Sequence, residues 1–502
     1  MLSLIVFLPA AVAGALLLVP GRASRTTFIG AWIAVSAADL ALVVAVWLGL
    51  DPAAGIQFEE RTAWIPSAGI SYHVGVDGLS LPLVALTVVL FGACALFALR
   101  ETRRVKSYVT LFLGLQTVSL GLFVALDLIL FFLFFDLSIV FMYFIIAGWG
   151  HGERGRAAAL KFFLYTFLGS LALLLGFILL YLAAEPHTFD IVDLTAANPL
   201  AGGGAYAGLA LLAIGIGLAV KTPTVPFHTW LPPAHTEAPA TGSAILAGIL
   251  LKMGTYGFVR IAMPILPGSW RQYALVVVLV GVVSVLYGAL VALAQTDLKR
   301  MIAYTSVNHM GYVILGVGAA GIIAGTDEQA RRLATTGAVT QMVAHGLITG
   351  ALFLLAGVLY DRGRTYDMGA YSGLAARTPL FAGVFAVAAF ASLGLPGFAG
   401  FIAEFQIFTG SLSSAPVPTA IAVTGILVTA GLFLLALQRV FLGPERVPDA
   451  PGTPRPFSDL HASEIAAIVP LLALATVIGV LPRFLLDVIE PASRALVELV
   501  AR

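Results

Sequence analysis

Two lysines interrupt long apolar sequence in residues 220–260, which read VKTPTVPFHTWLPPAHTEAPATGSAILAGILLKMGTYGFVR. Lys221 ends one apolar run and Lys252 lies inside the next, and each run is about as long as the ~20 residues that cross a bilayer. Pro223 and Pro226 follow Lys221 closely. Because proline lacks the backbone donor that a helix needs, they predict a break just after this lysine. The segment therefore predicts two membrane helices, the first of them broken, each with a lysine inside the membrane.

The composition of the whole chain agrees with a membrane protein. Of its 502 residues, 60% are hydrophobic and only 11% are charged, with a mean hydropathy of +1.00. A soluble domain carries about 25% charged residues, so a soluble globular enzyme and a disordered chain are both excluded. The formal net charge of +1 gives no basic excess for nucleic acid. The single cysteine, Cys94, cannot hold an iron–sulfur cluster by itself, so we expect any redox chemistry in a partner chain.

Fourteen apolar runs are long enough to cross a bilayer. Inside lipid only helices and closed barrels satisfy every backbone polar group, and these runs lack the strict alternation of barrel strands. We therefore predict an all-α membrane protein with about 14 transmembrane helices. The predicted spans are residues 2–20, 27–50, 79–99, 108–126, 128–149, 160–184, 206–228, 238–260, 273–294, 301–322, 336–360, 379–411, 417–441 and 463–484.

The basic residues predict how these spans are oriented. Loops after odd-numbered spans contain about twice as many lysines and arginines as the opposite side. Because cytoplasmic loops are enriched in basic residues, we expect the odd-side loops in the cytoplasm and both termini on the outer side. The N-terminal run has no charged region before it, so we interpret it as a retained first span and not as a cleaved signal.

Six ionisable side chains are predicted to lie within the membrane. Near the bilayer centre each full charge costs roughly 2.5–3.5 kcal/mol on insertion scales, so such groups must be paired, hydrated or neutralised. Intramembrane ionisable residues are functional by default, although a structural ion pair or a lysine that snorkels to the interface is the alternative. The six residues are Asp136, Lys221, Lys252, His309, His345 and Glu404.

We interpret these residues as a lateral proton relay. A buried lysine releases its proton more readily, and a nearby carboxylate restores the charge, so an Asp136–Lys221 pair can switch. The relay then continues through Lys252 and one of the two histidines to Glu404. For His309 and His345 a plain hydrogen-bonding role stays open, because a buried histidine often has no other function.

A second break is predicted in span 12, just before Glu404. Glycines and a proline interrupt the run there, namely Gly394, Pro396, Gly397 and Gly400. Interrupted helices at matching positions are typical of transporters built from repeats. The breaks are five spans apart, so a repeat of helices 4–8 onto helices 9–13 would be inverted in the membrane. The predicted division is residues 1–107 for helices 1–3, 108–260 for the first repeat, 261–441 for the second repeat, and 442–502 for a connector and helix 14.

Two weaker motifs are not interpreted as sites. His228 and His235 flank the proline-rich turn after Lys221, but further ligands at metal-binding spacing are missing, so no metal site is predicted. The sequence GVGAAG at 316–321 fits a dinucleotide-binding pattern, but it follows no strand. We interpret it as a surface of small residues where helices pack.

Three segments resemble one known family. The stretch at residues 220–260, TDLKRMIAYTSVNHMGYVILG and LPGFAGFIAEF closely resemble signatures of the antiporter-like subunits of respiratory complex I. Within that family, HVGVDGLSLPLV and LKFFLYTFLGS are similar to the subunit M, or chain-4, type. The resemblance extends over almost the whole chain. It implies a proton-pumping membrane subunit of NADH:quinone oxidoreductase, in a bacterial inner membrane.

The resemblance also assigns roles. It implies that Asp136, Lys221 and Lys252 drive transport and that His309, His345 and Glu404 continue the path along the central axis. NADH, FMN, iron–sulfur clusters and quinone are expected in partner subunits, and this chain is expected to hold no cofactor. Neighbouring antiporter-like subunits of the L and N types are the expected partners.

Two positions depart from the family pattern. The acid of the fifth span is usually glutamate, and Asp136 is one methylene shorter, which lengthens its reach to Lys221. A bridging water would close the gap. Pro233 stands where the family usually has an acid, and Glu237 lies four residues further on.

Other functions stay open at this point. A subunit of a multi-chain cation/proton antiporter of the Mrp type is the nearest alternative, and co-purified partners would distinguish the two. A metabolite transporter would need a polar lining of substrate size at the midplane. The intramembrane charges argue against a purely structural scaffold.

Overall fold

The computed structural model describes residues 1–21, 23–150, 152–448 and 457–501. The N-terminal quarter contains four helices and an antiparallel hairpin. Its elements are α1 (Leu2–Leu18), α2 (Arg25–Gly49), β1 (Gln57–Ile65), β2 (Ile70–Val76), α3 (Leu81–Phe97) and α4 (Val105–Val124). The pairing of Gln57 with Val76 and of Ile65 with Ile70 defines the hairpin register.

The next part contains the first broken helix and an irregular one. Aspartates begin two of its helices: Asp127 accepts hydrogen bonds from the first turn of α5, and Asp190 from that of α7. The elements are α5 (Leu128–Trp149), α6 (Gly152–Ala183), α7 (Ile191–Ala197), α8 (Gly204–Lys221), α9 (Leu231–Glu237), α10 (Ala240–Ile245), α11 (Leu251–Gly257) and α12 (Met263–Ile265). Two π-helical turns, Leu246–Leu250 and Phe258–Ala262, join α10, α11 and α12 into one continuous helix.

The last part contains the longest of the described helices, Glu328–Gly363, which has 36 residues. Its elements are α13 (Pro267–Leu293), α14 (Leu298–Ala319), α15 (Glu328–Gly363), α16 (Leu374–Arg377), α17 (Pro379–Ser392), α18 (Ala399–Ser414), α19 (Pro416–Phe441), α20 (Ala462–Val480) and α21 (Arg483–Ala501). Short 3₁₀ turns occur at Pro66–Ala68, Ala98–Arg100 and Met368–Ala370.

Three described helices are almost wholly buried in the interior of the bundle, namely α14, α15 and the continuous helix Ala240–Ile265. The most apolar stretch of α15 is 100% buried, and so is that of the continuous helix Ala240–Ile265. By contrast, only 33% of the corresponding stretch of α19 and 39% of that of α2 is buried. The outer helices therefore present apolar side chains to lipid, while α15 and Ala240–Ile265 are surrounded by protein.

The chain is an integral membrane protein by the length and composition of its helices. Among the described residues, 11 helices are long and apolar enough to cross a membrane. The other three predicted spans coincide with α1, with α14 and with the pair α17 and α18. The total of fourteen spans stays a prediction, as do the inverted repeats and the four-part division, whose limits at residues 107 and 260 fall inside helical segments.

The structure adds two elements that the spans did not include. The hairpin occupies a segment predicted only to be external. The last part of the chain was expected to contain one helix, but it contains α20 and α21. Buried residues of α21 recur at spacings of three and four, which is the pattern of an amphipathic helix: Leu485, Val488, Ile489, Leu496, Val497 and Val500.

A few sequence-based assignments fall outside the described residues. Most of the predicted connector, residues 449–456, is among them, and so are three of the basic residues that were used to orient the spans. These are Arg22, Arg455 and Arg502.

Candidate functional site

The first helix break lies at Lys221, as the prolines predicted. Helix α8 ends at this residue, and residues 222–230 are not helical before α9 begins. Carbonyls freed at the helix end find partners, because Trp230 Nε1 donates to Val220 O at 2.9 Å and Thr224 N to Ala219 O at 3.1 Å. The lysine is buried at the C-terminal end of α8, where the helix dipole favours a cation.

Lys221 contacts a serine and not the expected carboxylate. Its Nζ donates to Ser138 Oγ at 2.8 Å and lies 4.6 Å from the centre of the Phe135 ring. Within the described residues, no oxygen of Asp136 comes within 4.0 Å of Lys221 Nζ, and Oδ1 of this half-buried aspartate has no hydrogen-bond partner. Residues two apart on a helix do not share a face, so α5 presents Ser138 to the lysine and directs Asp136 elsewhere.

Lys252 lies in the continuous interior helix between the two π-helical turns. It is fully buried, so it does not snorkel to an interface. Its Nζ donates to Ala247 O at 2.5 Å and to His345 Nδ1 at 2.6 Å. The lysine thus links two of the interior helices, Ala240–Ile265 and α15.

Two histidines continue this line toward α14. The rings of His345 and His309 have centroids 5.4 Å apart. Gln341, one turn before His345 on α15, lies with its Nε2 3.2 Å from His309 Nδ1. Ser392 Oγ, at the end of α17, lies 3.4 Å from His309 Nε2.

The second break separates α17 from α18 and positions Glu404. Oε1 of this buried carboxylate lies 3.4 Å from His309 Nδ1. Gly394 lies within the break and has a φ of +76°, a backbone conformation that residues other than glycine adopt only with strain. A Cβ atom there would lie 2.5 Å from Glu404 Oε2. The glycine therefore permits the turn and also leaves room for the carboxylate.

A small cavity connects these groups. It is lined by His309, His345, Ser392 and Glu404. Its volume of about 10 Å³ leaves room for roughly one water molecule. Among the described residues, Gln341 Oε1 and His345 Nε2 have no hydrogen-bond partner in the protein. Since buried polar atoms are normally hydrogen-bonded, the cavity suits an ordered water that joins these side chains.

Several residues at the site were not predicted from the sequence. Ser138 and Gln341 were not singled out, although Gln341 lies four residues before His345 and hence on the same helix face. Lys299 was counted as a loop residue, but it is fully buried, and its Nζ donates to Ala238 O. Arg260 was not singled out either, and it is buried in an ion pair with Asp77.

The two histidines next to the proline-rich turn lie in different surroundings. The ring of His228 packs edge-on against Tyr287, while that of His235 stacks on Phe353 with centroids 4.5 Å apart. Across the part of the chain that the structure describes, no group of three or more His, Cys, Asp or Glu side chains has an arrangement suited to a metal ion.

A separate charged cluster lies outside the membrane spans, at the hairpin. His73 of β2 is 2.6 Å from Asp190 through Nδ1 and 3.0 Å from Glu59 through Nε2, and Arg61 also contacts Asp190 at 3.1 Å. Burial lowers the pKa of His73, but the hydrogen bond and charge of Asp190, with Glu59, outweigh it and raise the pKa above its usual 6.5. Burial likewise raises the pKa of Asp190, but His73, its own backbone donors and Arg61 lower it overall.

A buried line of ionisable side chains beside broken membrane helices defines a membrane protein that moves ions. The chain belongs to the family described as NADH:quinone oxidoreductase/Mrp antiporter, TM, which matches residues 125–439. This range includes every candidate residue from Asp136 to Glu404.

Individual relatives are similar over nearly the full length. The chain is 40% identical over 512 residues to NADH-quinone oxidoreductase subunit M of Rhodobacter capsulatus, which covers 99% of this chain and 96% of the relative. A chain of respiratory complex I from Thermus thermophilus with bound NADH has a TM-score of 0.88 and 29% identity, with 100% of both chains covered. A chain of the Mrp complex from Dietzia sp. DQ12-45-1b has a TM-score of 0.87 at 23% identity, covering 100% of this chain and 99% of that one. The last similarity concerns the fold alone.

Proposed function

We propose that this chain is a proton-translocating membrane subunit of an NADH:quinone oxidoreductase. The observation that carries the proposal is the continuous buried line from Lys252 through His345 and His309 to Glu404. Its contacts are 2.6 Å between the lysine and His345, and 3.4 Å between His309 and Glu404. Ionisable groups at this spacing, or with one water between them, pass a proton along hydrogen bonds.

His309 is suited to carry a proton in this line. Its Nδ1 lies beside an acceptor, Glu404 Oε1 at 3.4 Å, and beside a donor, Gln341 Nε2 at 3.2 Å. A protonated Nδ1 donates to Glu404, and a deprotonated Nδ1 accepts from Gln341. Both states therefore have a partner, so neither leaves an unsatisfied nitrogen in the bundle interior.

Lys221 and Asp136 form the other part of the relay. Ser138 accepts a hydrogen bond from the lysine and holds it at the end of α8. We propose that Asp136 acts on Lys221 through its charge and a bridging water, since the two are not in direct contact. A change in that interaction changes the readiness of Lys221 to release its proton toward Lys252.

The architecture that we propose for the membrane follows the two breaks. Fourteen spans, with an inverted repeat of residues 108–260 onto 261–441, would relate the break after Lys221 to the break before Glu404. Each break lies close to an ionisable side chain in the bundle interior, because Lys221 ends α8 and Glu404 lies in the second turn of α18. Both chain termini then face outward, in a bacterial inner membrane.

The electron-transfer chemistry belongs, in this proposal, to other subunits. NADH, FMN, iron–sulfur clusters and quinone would be bound there, and this chain would contribute only proton transport. The single cysteine supports this division, because Cys94 is buried in α3 among apolar residues. Antiporter-like subunits of the L and N types are the proposed neighbours.

The alternative of an Mrp-type antiporter subunit has less support. Similarity to the Mrp chain is structural, at 23% identity, whereas the named relative among NADH-quinone oxidoreductases is 40% identical over nearly the whole chain. Both assemblies would use the same buried line. The chains that co-purify with this one distinguish the two assemblies.

The test uses the assembled complex purified from native membranes. We expect redox subunits to co-purify with the chain. We also expect NADH oxidation to drive protons across the membrane of closed vesicles, which is measured as a change in the pH inside them. Lys221→Ala should abolish most of this pumping in a complex that assembles in normal amount, while Lys161→Ala, which removes an exposed lysine of α6, should pump like the parent. Unchanged pumping with Lys221→Ala would overturn the proposal, and a preparation with only membrane chains would favour the antiporter.

A further inference from the structure

A recess opens at the end of the bundle where α19 finishes and the chain has just left α15. Its lining comes from two segments, residues 368–372 and residues 438–446. Its volume of about 650 Å³ lies within the range of about 300–1,000 Å³ that is usual for ligand sites. Arg439 and Arg446 line it, and no acidic side chain does so among the described residues. We call it the arginine recess.

Hydrogen bonds hold the two segments of the recess together. Arg446 N donates to Ser372 O at 2.8 Å, and Ser372 N donates to Arg446 O at 3.0 Å. Ser372 Oγ also donates to Leu442 O at 3.0 Å. The backbone of Arg446 is therefore fixed although its side chain is exposed, and Arg439 is held by the last turn of α19. The two arginines thus belong to one preformed framework.

Neither of these arginines has a counter-charge in the protein. Among the described residues, no carboxylate oxygen comes within 4.0 Å of either guanidinium. Nearby arginines differ, because Arg377 pairs with Glu445 and Arg362 pairs with Glu464. Glu445 precedes Arg446 in the sequence, yet its charge is already matched by Arg377. Two free guanidinium groups on one recess form a site for an anion with several oxygens.

Helix α19 is longer than the apolar core of a bilayer. Its 26 residues correspond to about 39 Å at 1.5 Å per residue, whereas the hydrocarbon core is about 30 Å thick. Arg439 lies in the last turn, so we expect the recess at the level of the lipid headgroups. The basic-residue bias predicts that this is the cytoplasmic surface.

An apolar surface leads from the recess into the membrane. The most apolar stretch of α19 is only 33% buried, and Leu427, Leu434 and Leu435 are among its exposed residues. Leu435 lies four residues before Arg439 and therefore on the same side of the helix. Leu442 is exposed within the recess itself. The surface thus changes from cationic to apolar along the helix, which suits a ligand with an anionic head and a hydrocarbon tail.

We propose that the arginine recess binds the phosphate of an anionic phospholipid. Arg439 and Arg446 donate to the phosphate oxygens, which the planar guanidinium fork matches, and Gln438 adds an amide donor from the same lining. The acyl chains lie along Leu434 and Leu435. Basic pockets on the cytoplasmic side of membrane helices are suited to such headgroups. The site is separate from the buried line and does not depend on the proposed function.

Photochemical cross-linking tests the site in the assembled complex. The complex is reconstituted in vesicles that contain either a phosphatidylglycerol or a phosphatidylcholine, each with a photoreactive diazirine in one acyl chain. The first lipid has a net negative charge and the second has none. We expect the phosphatidylglycerol to label peptides of α19 at least about fivefold more, because one basic residue near the surface strengthens the binding of an anionic lipid by roughly this factor.

Substitutions test whether the two arginines are the cause. In Arg439→Gln/Arg446→Gln, labelling of α19 by the phosphatidylglycerol should fall to the level of the phosphatidylcholine, and in Arg439→Lys/Arg446→Lys part of it should return. The matched control is Arg156→Gln/Arg300→Gln, which removes two exposed cations predicted on the same side of the membrane but outside the recess. It should label like the parent. Because all four side chains are exposed, we expect each variant to assemble.

Three results would overturn the proposal. Equal labelling of α19 by the two lipids would exclude a site for an anionic lipid. Unchanged labelling of Arg439→Gln/Arg446→Gln, or an equal loss in the control, would show that the recess is not responsible. Loss of labelling on addition of inorganic phosphate, but not of chloride at the same ionic strength, would indicate a site for a free anion.

Discussion

The Nζ atom of Lys252 lies 2.6 Å from Nδ1 of His345, and each residue belongs to a helix whose most apolar stretch is wholly buried. Two ionisable groups thus meet in the buried interior of the bundle. A hydrogen bond there is strong in a low dielectric, and an unmatched partner is correspondingly costly. Substitutions at this contact therefore test the buried line directly.

Removal of the imidazole should interrupt the line at its centre. In His345→Ala the lysine loses an acceptor, so we expect pumping to fall to the level of Lys221→Ala. We also expect a loss of about 1–3 kcal/mol in stability, which is the usual cost of a buried polar group without its partner. Val343→Ala, which truncates a buried apolar side chain on the same helix, should lower the melting temperature but leave pumping intact. Pumping by His345→Ala at the parent rate would exclude a central role.

The glycine beside Glu404 offers a matched pair of substitutions. Gly394 and Gly397 have φ values of +76° and +101°, so alanine is strained at both, by about 1–2 kcal/mol. Only at Gly394 does a Cβ meet the carboxylate, 2.5 Å from Glu404 Oε2, whereas nothing lies within 4 Å of a Cβ at Gly397. We expect Gly394→Ala to reduce pumping severalfold more than Gly397→Ala at similar thermal stability. Equal pumping by the two variants would show that the position of Glu404 is not critical.

The hairpin cluster should make stability depend on pH. Both nitrogens of His73 face carboxylates, at 2.6 Å and 3.0 Å, so only the protonated ring donates to both. Its folded-state pKa is raised above the usual 6.5 by Asp190 and Glu59, although burial opposes this. The stabilisation is therefore complete below about pH 6.5 and is lost as pH rises through the folded-state pKa. Melting temperatures of the parent between pH 6 and 9 should fall more than those of His73→Gln, and parallel curves would contradict this.

Two ion pairs of unlike burial should differ in their contribution to stability. Arg260 and Asp77 pair inside the protein, with side chains 10% and 9% exposed, whereas Arg377 and Glu445 are 35% and 45% exposed. Asp77→Asn leaves a buried guanidinium without its counter-charge, and we expect a loss of about 3–5 kcal/mol. Glu445→Gln should cost less than about 1 kcal/mol. Thermal unfolding of the two variants measures the difference, and equal losses would refute it.

The sequence predicted those site features that depend on local chemistry. Prolines after Lys221 and glycines before Glu404 mark the helix breaks, because the proline ring restricts the backbone and removes a donor, while glycine, without a Cβ, adopts turn conformations freely. A lysine or a carboxylate within an apolar run can likewise be recognised from the sequence alone. The family resemblance was confirmed.

Other features depend on contacts between distant segments, which a single sequence does not display. Lys299 lies next to a loop in sequence, and only the packing of α9 against α14 buries it. Ser138 replaces Asp136 as the partner of Lys221 because of the rotation of α5, which apolar residues on all its faces do not reveal. The helix α21 follows from its amphipathic spacing, a signal that a search for wholly apolar spans passes over.

The π-helical turn at Leu246–Leu250 has a consequence for Lys252 that involves no side chain. Such a turn holds one residue more than an α-helical turn, and one residue corresponds to about 100° around the helix axis. If the same residues continued as a plain α-helix, the Lys252 side chain would be rotated by about that angle, away from the imidazole of His345. The direction in which the Lys252 side chain points therefore depends on the extra residue in the turn before it.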